Sequence, residues 1–180
     1  MNRREALSAT ALLMGGTLIG ATAFLNGCKK RDAQIGIFHD TDILFLDEVG
    51  ETILPATDTP GAKSVHIGEF MRVIVTECYS AEEQKTFASG IPAIDALSRK
   101  KYNKTFLEST ASEKKELLIM LDAEAKTNIE APHYFTMMKQ LTVWGFFSSE
   151  VGATQAMRYI AIPGRWEGCM PYTIGDKAWA

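Results

Sequence analysis

Two Ser/Thr-x-x-Glu spacings, Ser80 to Glu83 and Thr110 to Glu113, constrain the fold of this chain more than any other feature. In each, the hydroxyl can accept from an N–H of the first turn while the glutamate reaches back to the N–H of the hydroxyl residue. That reciprocal pair marks the start of a helix. The first spacing predicts a helix carrying Phe87, Ile91, Ile94 and Leu97. Pro92 falls inside it and is expected to kink or divide it, because proline lacks an N–H and crowds the preceding turn. The second predicts a helix to about Lys126 with Leu117, Leu118, Met120 and Leu121 as its apolar stripe.

Other helices follow from periodicity. Thr41 can cap a segment in which Ile43, Leu44, Leu46, Val49 and Ile53 recur near helical spacing, ended by Pro55 and the Thr57 to Gly61 turn cluster. Ile67 to about Tyr79 predicts a helix with Phe70, Val73, Ile74 and Cys78 on one face. Pro132 suits a first-turn position of a helix carrying Phe135, Met138, Leu141 and Val143 to about Phe147. Ser148 or Ser149 can cap a short final helix from Glu150 to Met157. Only Arg72 to Thr76 reads ambiguously as a strand, so the expected class is all-α, a small bundle of about five to six helices. From Ala161 prolines, glycines and aromatics replace the helical pattern. Residues 161–180 are therefore expected to form an irregular arm that wraps its own domain or a partner, since Trp166, Tyr172 and Trp179 are costly to leave in water.

Ahead of this helical domain, residues 41–180, the chain reads as an address. Arg3 and Arg4 precede a run from Ala6 to Leu25 without a charge, the layout of an export signal. The run closes on Leu25-Asn26-Gly27-Cys28, which resembles a bacterial lipobox, with Asn26 where a small residue is commoner. On that reading residues 1–27 are removed, Cys28 carries the lipid, and residues 28–40 are a polar tether on the periplasmic side of a bacterial membrane. The same run, about twenty residues long, also suits an uncleaved transmembrane anchor, or less well a buried helix. Arg3-Arg4-Glu5-Ala6-Leu7 resembles a twin-arginine signal, although paired arginines also occur in ordinary export signals.

Chemistry is scarce. The composition, 46% hydrophobic and 23% charged with a formal net charge of −3, is that of a globular domain without the basic stripe that nucleic acid requires. His39, His66 and His133 are scattered, no CxxC pair occurs, and GxSxG, P-loop and GxGxxG patterns are lacking in the predicted domain. No metal or cofactor is expected on this chain. Asp47-Glu48 and Glu82-Glu83 have the residue types of a carboxylate pair, but such clusters are more often solvated faces or first-turn charges. Cys78 and Cys169 are either a disulfide, closing a loop worth on the order of 4 kcal/mol, or two free thiols.

Leu141-Thr142-Val143-Trp144-Gly145-Phe146-Phe147-Ser148-Ser149-Glu150-Val151-Gly152, then Arg158-Tyr159 and Pro163-Gly164-Arg165-Trp166-Glu167-Gly168-Cys169, resemble the gluconate 2-dehydrogenase subunit 3 family. Upstream, Asp47-Glu48-Val49-Gly50-Glu51-Thr52-Ile53-Leu54-Pro55 resembles its opening helix. The resemblance implies a small subunit, without an active site, of a membrane-bound dehydrogenase for a sugar or sugar acid. Its partner would be a large flavoprotein of the glucose-methanol-choline oxidoreductase family holding FAD, often with a cytochrome c subunit holding haem. The small subunit in such complexes commonly carries the export signal and supports folding of the large one; Cys28 would add a membrane anchor.

Trp, Tyr and Arg are enriched among the residues that anchor interfaces. Under this resemblance Trp144, Phe146, Phe147, Arg165, Trp166 and Tyr172 are the candidate partner contacts. Each could instead pack within its own domain, and for the two phenylalanines that alternative weighs more. The competing functions are a free-standing envelope lipoprotein that presents a helical binding module and, with no assembled catalytic set behind it, an independent enzyme.

Overall fold

The computed structural model describes residues 37–127 and 132–179. Arg3, Arg4, Cys28 and most of the tether lie outside the described residues. Among these described residues five α-helices follow in order: α1 Asp40–Ile53, α2 Ile67–Cys78, α3 Ala81–Tyr102, α4 Ala111–Thr127 and α5 Tyr134–Ser148. A 3-10 turn, Ala62–Val65, precedes α2, and a π-helical turn, Gly152–Ala156, follows α5. No strand occurs among the described residues; Arg72 to Thr76 lies inside α2. The protein is an all-α bundle.

The two capping boxes form as their spacings require. Glu83 accepts from the N–H of Ser80 at 2.9 Å at the head of α3, and Glu113 from that of Thr110 at 2.7 Å at the head of α4. Both carboxyl groups are held below the usual carboxylate range, Glu83 chiefly by the Ser80 hydroxyl and Glu113 chiefly by the Thr110 N–H. Pro92 does not divide α3, which runs unbroken past it with the proline at the solvent side. The Thr41 cap is displaced: His39 is the N-cap of α1, and Asp42 accepts from its N–H at 2.8 Å. Pro132 lies one residue before His133, whose ring nitrogen caps α5 by accepting from Phe135. Ser149 caps the last turn, its hydroxyl accepting from the N–H of Gly152.

Helix α5 is the centre of the bundle and packs against each of the other four. Its buried residues, Phe135, Met137, Met138, Leu141, Thr142, Gly145 and Phe146, occupy about half of the helix circumference, while apolar Val143 and Trp144 lie on the exposed half. Gly145 lets α2 come close: a Cβ there would lie 2.5 Å from the Phe70 ring. The core around it holds Leu46, Val49, Ile67, Met71, Phe87, Ile94, Leu117 and Leu121. Phe38 also belongs to this core, edge-on to Phe87 at 5.9 Å, so the folded domain starts within the stretch read as tether.

The expected faces hold on α1, α4 and α5, where Leu46, Val49, Leu117, Leu118, Leu121, Phe135, Met138 and Leu141 are buried, apart from single positions; on α2 the face is shifted. On α2 the buried line is Ile67, Met71 and Val75, while Val73 and Cys78 are exposed; on α4 Lys114 is buried and Met120 exposed; on α1 Leu44 and on α5 Val143 are exposed. On α4 an ion pair holds the buried lysine. Lys114 reaches Glu48 of α1 at 3.1 Å and stacks its ammonium over Phe106 at 5.7 Å, so a charged residue takes a core-facing position.

Candidate partner-binding surface

The acidic run of α1 is engaged in holding the chain together. Asp47, buried, accepts the backbone N–H of Gly68 at 2.7 Å and so caps α2. Glu48 is bound by Lys63 at 2.7 Å and Lys114 at 3.1 Å; the Lys63 hydrogen bond, with Lys114 adding to it, holds its carboxyl below the usual range despite the opposing effect of burial. Glu51 accepts the N–H groups of Ala56 and Lys63, each at 2.9 Å, and pins the loop after α1. These carboxylates converge on backbone and lysine, as structural anchors do. At the head of α3, Glu83 belongs to the capping box, so Glu82-Glu83 reads the same way.

His39, His66 and His133 cap or flank three different helices. Among the described residues no group of three or more His, Cys, Asp or Glu is placed to hold a metal ion. Cys78 and Cys169 are free thiols, both exposed, so no bridge joins them. Cys78 ends α2 on its solvent side, whereas Cys169 lies in an arm that closes on itself. No helix among the described residues is long and apolar enough to cross a membrane.

The six candidate contacts separate sharply. Trp144 is 54% exposed on α5 and stands edge-on to Phe70 of α2 at 5.3 Å. Beside it Val143, Ala125, Thr136, Gln140 and Lys126 line a groove of about 470 Å³ between α4 and α5. Phe146 is only 4% exposed and is turned into the bundle, which removes it as a partner contact. Phe147, half-buried, packs its ring against that of Phe146 at 5.2 Å. The arithmetic of a helix separates these neighbours: each residue turns about 100° from the last, so Trp144 and Phe146 face different ways.

Arg165, Trp166 and Tyr172 are all exposed on the arm, with Trp166 at 93% and Tyr172 at 74%. The arm does not wrap its own bundle. It returns instead to its own root: Arg158 and Trp179 form an isolated bridge, with the Arg158 N–H donating to Ala178 at 2.7 Å. The Arg158 guanidinium lies 4.8 Å from the Trp179 ring and 3.7 Å from Asp176, and Lys177 donates to the carbonyl of Gln155. Ile162 and Ile174, at 84% and 95% exposure, join Trp166 and Tyr172 on the outside. Reading the sequence for aromatics missed both isoleucines and the closing role of Arg158. The signal available was Ile174-Gly175, where Gly175 takes φ 99° in the turn from Thr173 to Asp176 and sets the isoleucine at its tip.

No curated protein matches this chain, and no solved structure does. Residues 40–164 match the family described as Gluconate 2-dehydrogenase subunit 3. That span covers α1 through the first residues of the arm, including the acidic anchors, the central helix α5 and Arg158. On that match the chain belongs to the gluconate 2-dehydrogenase subunit 3 family.

Proposed function

We propose that the chain is the non-catalytic small subunit of a membrane-associated, FAD-dependent dehydrogenase of the glucose-methanol-choline type that oxidises a sugar or glucoside. In this reading it aids folding and export of the flavoprotein large subunit and anchors the complex through Cys28. The observation that carries the reading is an aromatic arm left in water by a member of a dehydrogenase-subunit family. Exposed Trp166 and Tyr172, with Ile162 and Ile174, make an apolar surface of the kind a partner subunit covers. The acidic residues of α1 are committed to capping and ion pairs, which supports assigning the chemistry to another subunit.

FAD, and haem c where a cytochrome subunit is present, would reside in the partners. Export would use Arg3 and Arg4: a twin-arginine route reads the guanidinium pair, whereas a general route reads positive charge. The test is purification of the tagged full chain from detergent-solubilised membranes. The expected product contains a larger polypeptide with a flavin absorption spectrum, and intact-mass analysis of the chain shows loss of residues 1–27 and a diacylglyceryl adduct on Cys28. Recovery of the chain without a flavoprotein, or sugar oxidation by the chain alone, contradicts the proposal.

A further inference from the structure

The arm from Arg158 to Trp179 is a closed loop, and its charged and apolar side chains are sorted. At the root, Arg158 contacts Asp176 and Trp179, and Lys177 donates to Gln155. Farther out, Arg165 lies 3.4 Å from Glu167. Asp176 both receives the N–H of Thr173 at 3.0 Å and sends its own N–H to the Thr173 carbonyl at 2.9 Å, fixing the Ile174-Gly175 turn. Of the arm's charged groups, Arg158, Arg165, Glu167, Asp176 and Lys177, each thus has a partner within the chain. The four most exposed large hydrophobic side chains are Ile162, Trp166, Tyr172 and Ile174. A surface whose charges are already paired gains little from a charged counterpart, whereas its apolar groups gain from any surface that removes them from water.

We propose that Arg158 is the latch of a pre-closed docking loop, which seats Ile162, Trp166, Tyr172 and Ile174 in an apolar, charge-poor recess on the dehydrogenase's large subunit. This rests on the small-subunit reading above. The occupant is a partner subunit because the family is one of dehydrogenase subunits, and its recess is charge-poor because the loop pairs its own charges. At roughly 150–250 Å² for each aromatic, plus the two isoleucines, the loop supplies a substantial part of the ~800 Å² per partner of a standard interface. Closing the loop beforehand matters because a free segment of this length loses conformational freedom on docking, while a latched one has already lost it. Arg158 is therefore a positioning residue: it acts on binding through the loop and makes no contact of its own with the partner.

The experiment measures affinity of the purified large subunit, with its flavin, for the full chain and its variants at 50 and 500 mM NaCl. Trp166→Ala removes an anchor. Arg158→Ala takes the guanidinium from both Asp176 and Trp179, and Trp179→Ala takes away the ring it faces, so each loosens the latch while the backbone bond to Ala178 remains; circular-dichroism melting checks that the bundle is intact in each. The proposal expects each latch variant to weaken binding about threefold, with the double variant no weaker than Arg158→Ala alone, because that variant already lacks the contact that Trp179→Ala removes. It also expects less than threefold change in wild-type affinity between the two salt concentrations, since a paired-charge, apolar contact is little screened. Full binding by both latch variants while Trp166→Ala binds weakly overturns the latch and leaves the small-subunit reading intact. A tenfold or greater loss of wild-type affinity at high salt overturns the apolar recess. No binding by the wild-type chain overturns the small-subunit reading, and the loop proposal with it.

Discussion

Asp47 on α1 accepts the backbone N–H of Gly68 on α2 at 2.7 Å, in a contact closed to solvent. The first turn of a helix has N–H groups without intrahelical partners, and the residue placed to cap α2, His66, is left-handed at φ 52° and makes no side-chain cap. A neighbouring helix supplies the missing acceptor. The negative carboxylate also faces the positive end of the α2 dipole. Asp47→Ala is therefore expected to destabilise the bundle by about 1–3 kcal/mol, the range for stranding a buried donor. Asp47→Asn keeps an acceptor and is expected to lose less, both read from the urea midpoint.

The Glu48 ion pairs predict a pH dependence. Lys63, with Lys114, holds the folded-state pKa of Glu48 below its ordinary value of 4.5. Such a group contributes stability above the unfolded-state pKa and loses it as pH falls through the folded one. Glu48→Gln should thus be less stable than wild type at pH 7 by about 1–3 kcal/mol, because it also leaves the buried Lys114 without its carboxylate. The gap should narrow as pH falls below about 4.5. Urea melts of the two proteins from pH 7 to pH 3 measure it; a gap that stays constant contradicts the assignment.

Gly145→Ala tests the packing of α5. In an exposed helix the change would stabilise by about 1 kcal/mol. Here the new methyl would lie 2.5 Å from Phe70 and 2.6 Å from Ile67, so a net destabilisation of about 1–3 kcal/mol is expected from overpacking. The thermal midpoint should fall, and the edge-on contact of Phe70 with Trp144 should loosen, read as a change in tryptophan emission.

The helix starts were legible where the determinants are local. Ser80 with Glu83 and Thr110 with Glu113 act across three residues, and α3 and α4 begin beside them; a further pair at the same spacing, Thr105 with Glu108, shapes the turn between those helices. The Asp47 and Lys114 contacts were not legible, because their partners lie far along the chain and no periodicity encodes them. Helix α5 shows the limit from the other side. Its apolar residues occur all round, so spacing gave no direction and could not separate buried Phe146 from exposed Trp144. In the arm the aromatics announced a surface, but its closure depends on Arg158 meeting Trp179 across the whole segment.

The most direct test of the small-subunit account is co-expression of the flavoprotein large subunit with either the full chain or a chain ending at Ile160, followed by dye-linked oxidation of a sugar panel in membranes. The arm is exposed and closes on itself, so the truncated bundle should melt within a few degrees of the full chain. Full-length chain is expected to give flavoprotein-dependent oxidation and co-purification. Truncation is expected to reduce both at least tenfold through loss of Ile162, Trp166, Tyr172 and Ile174 from the contact. An equally active, co-purifying flavoprotein with the truncated chain would contradict the arm as interface, and equal activity with no chain at all would contradict the small-subunit function itself.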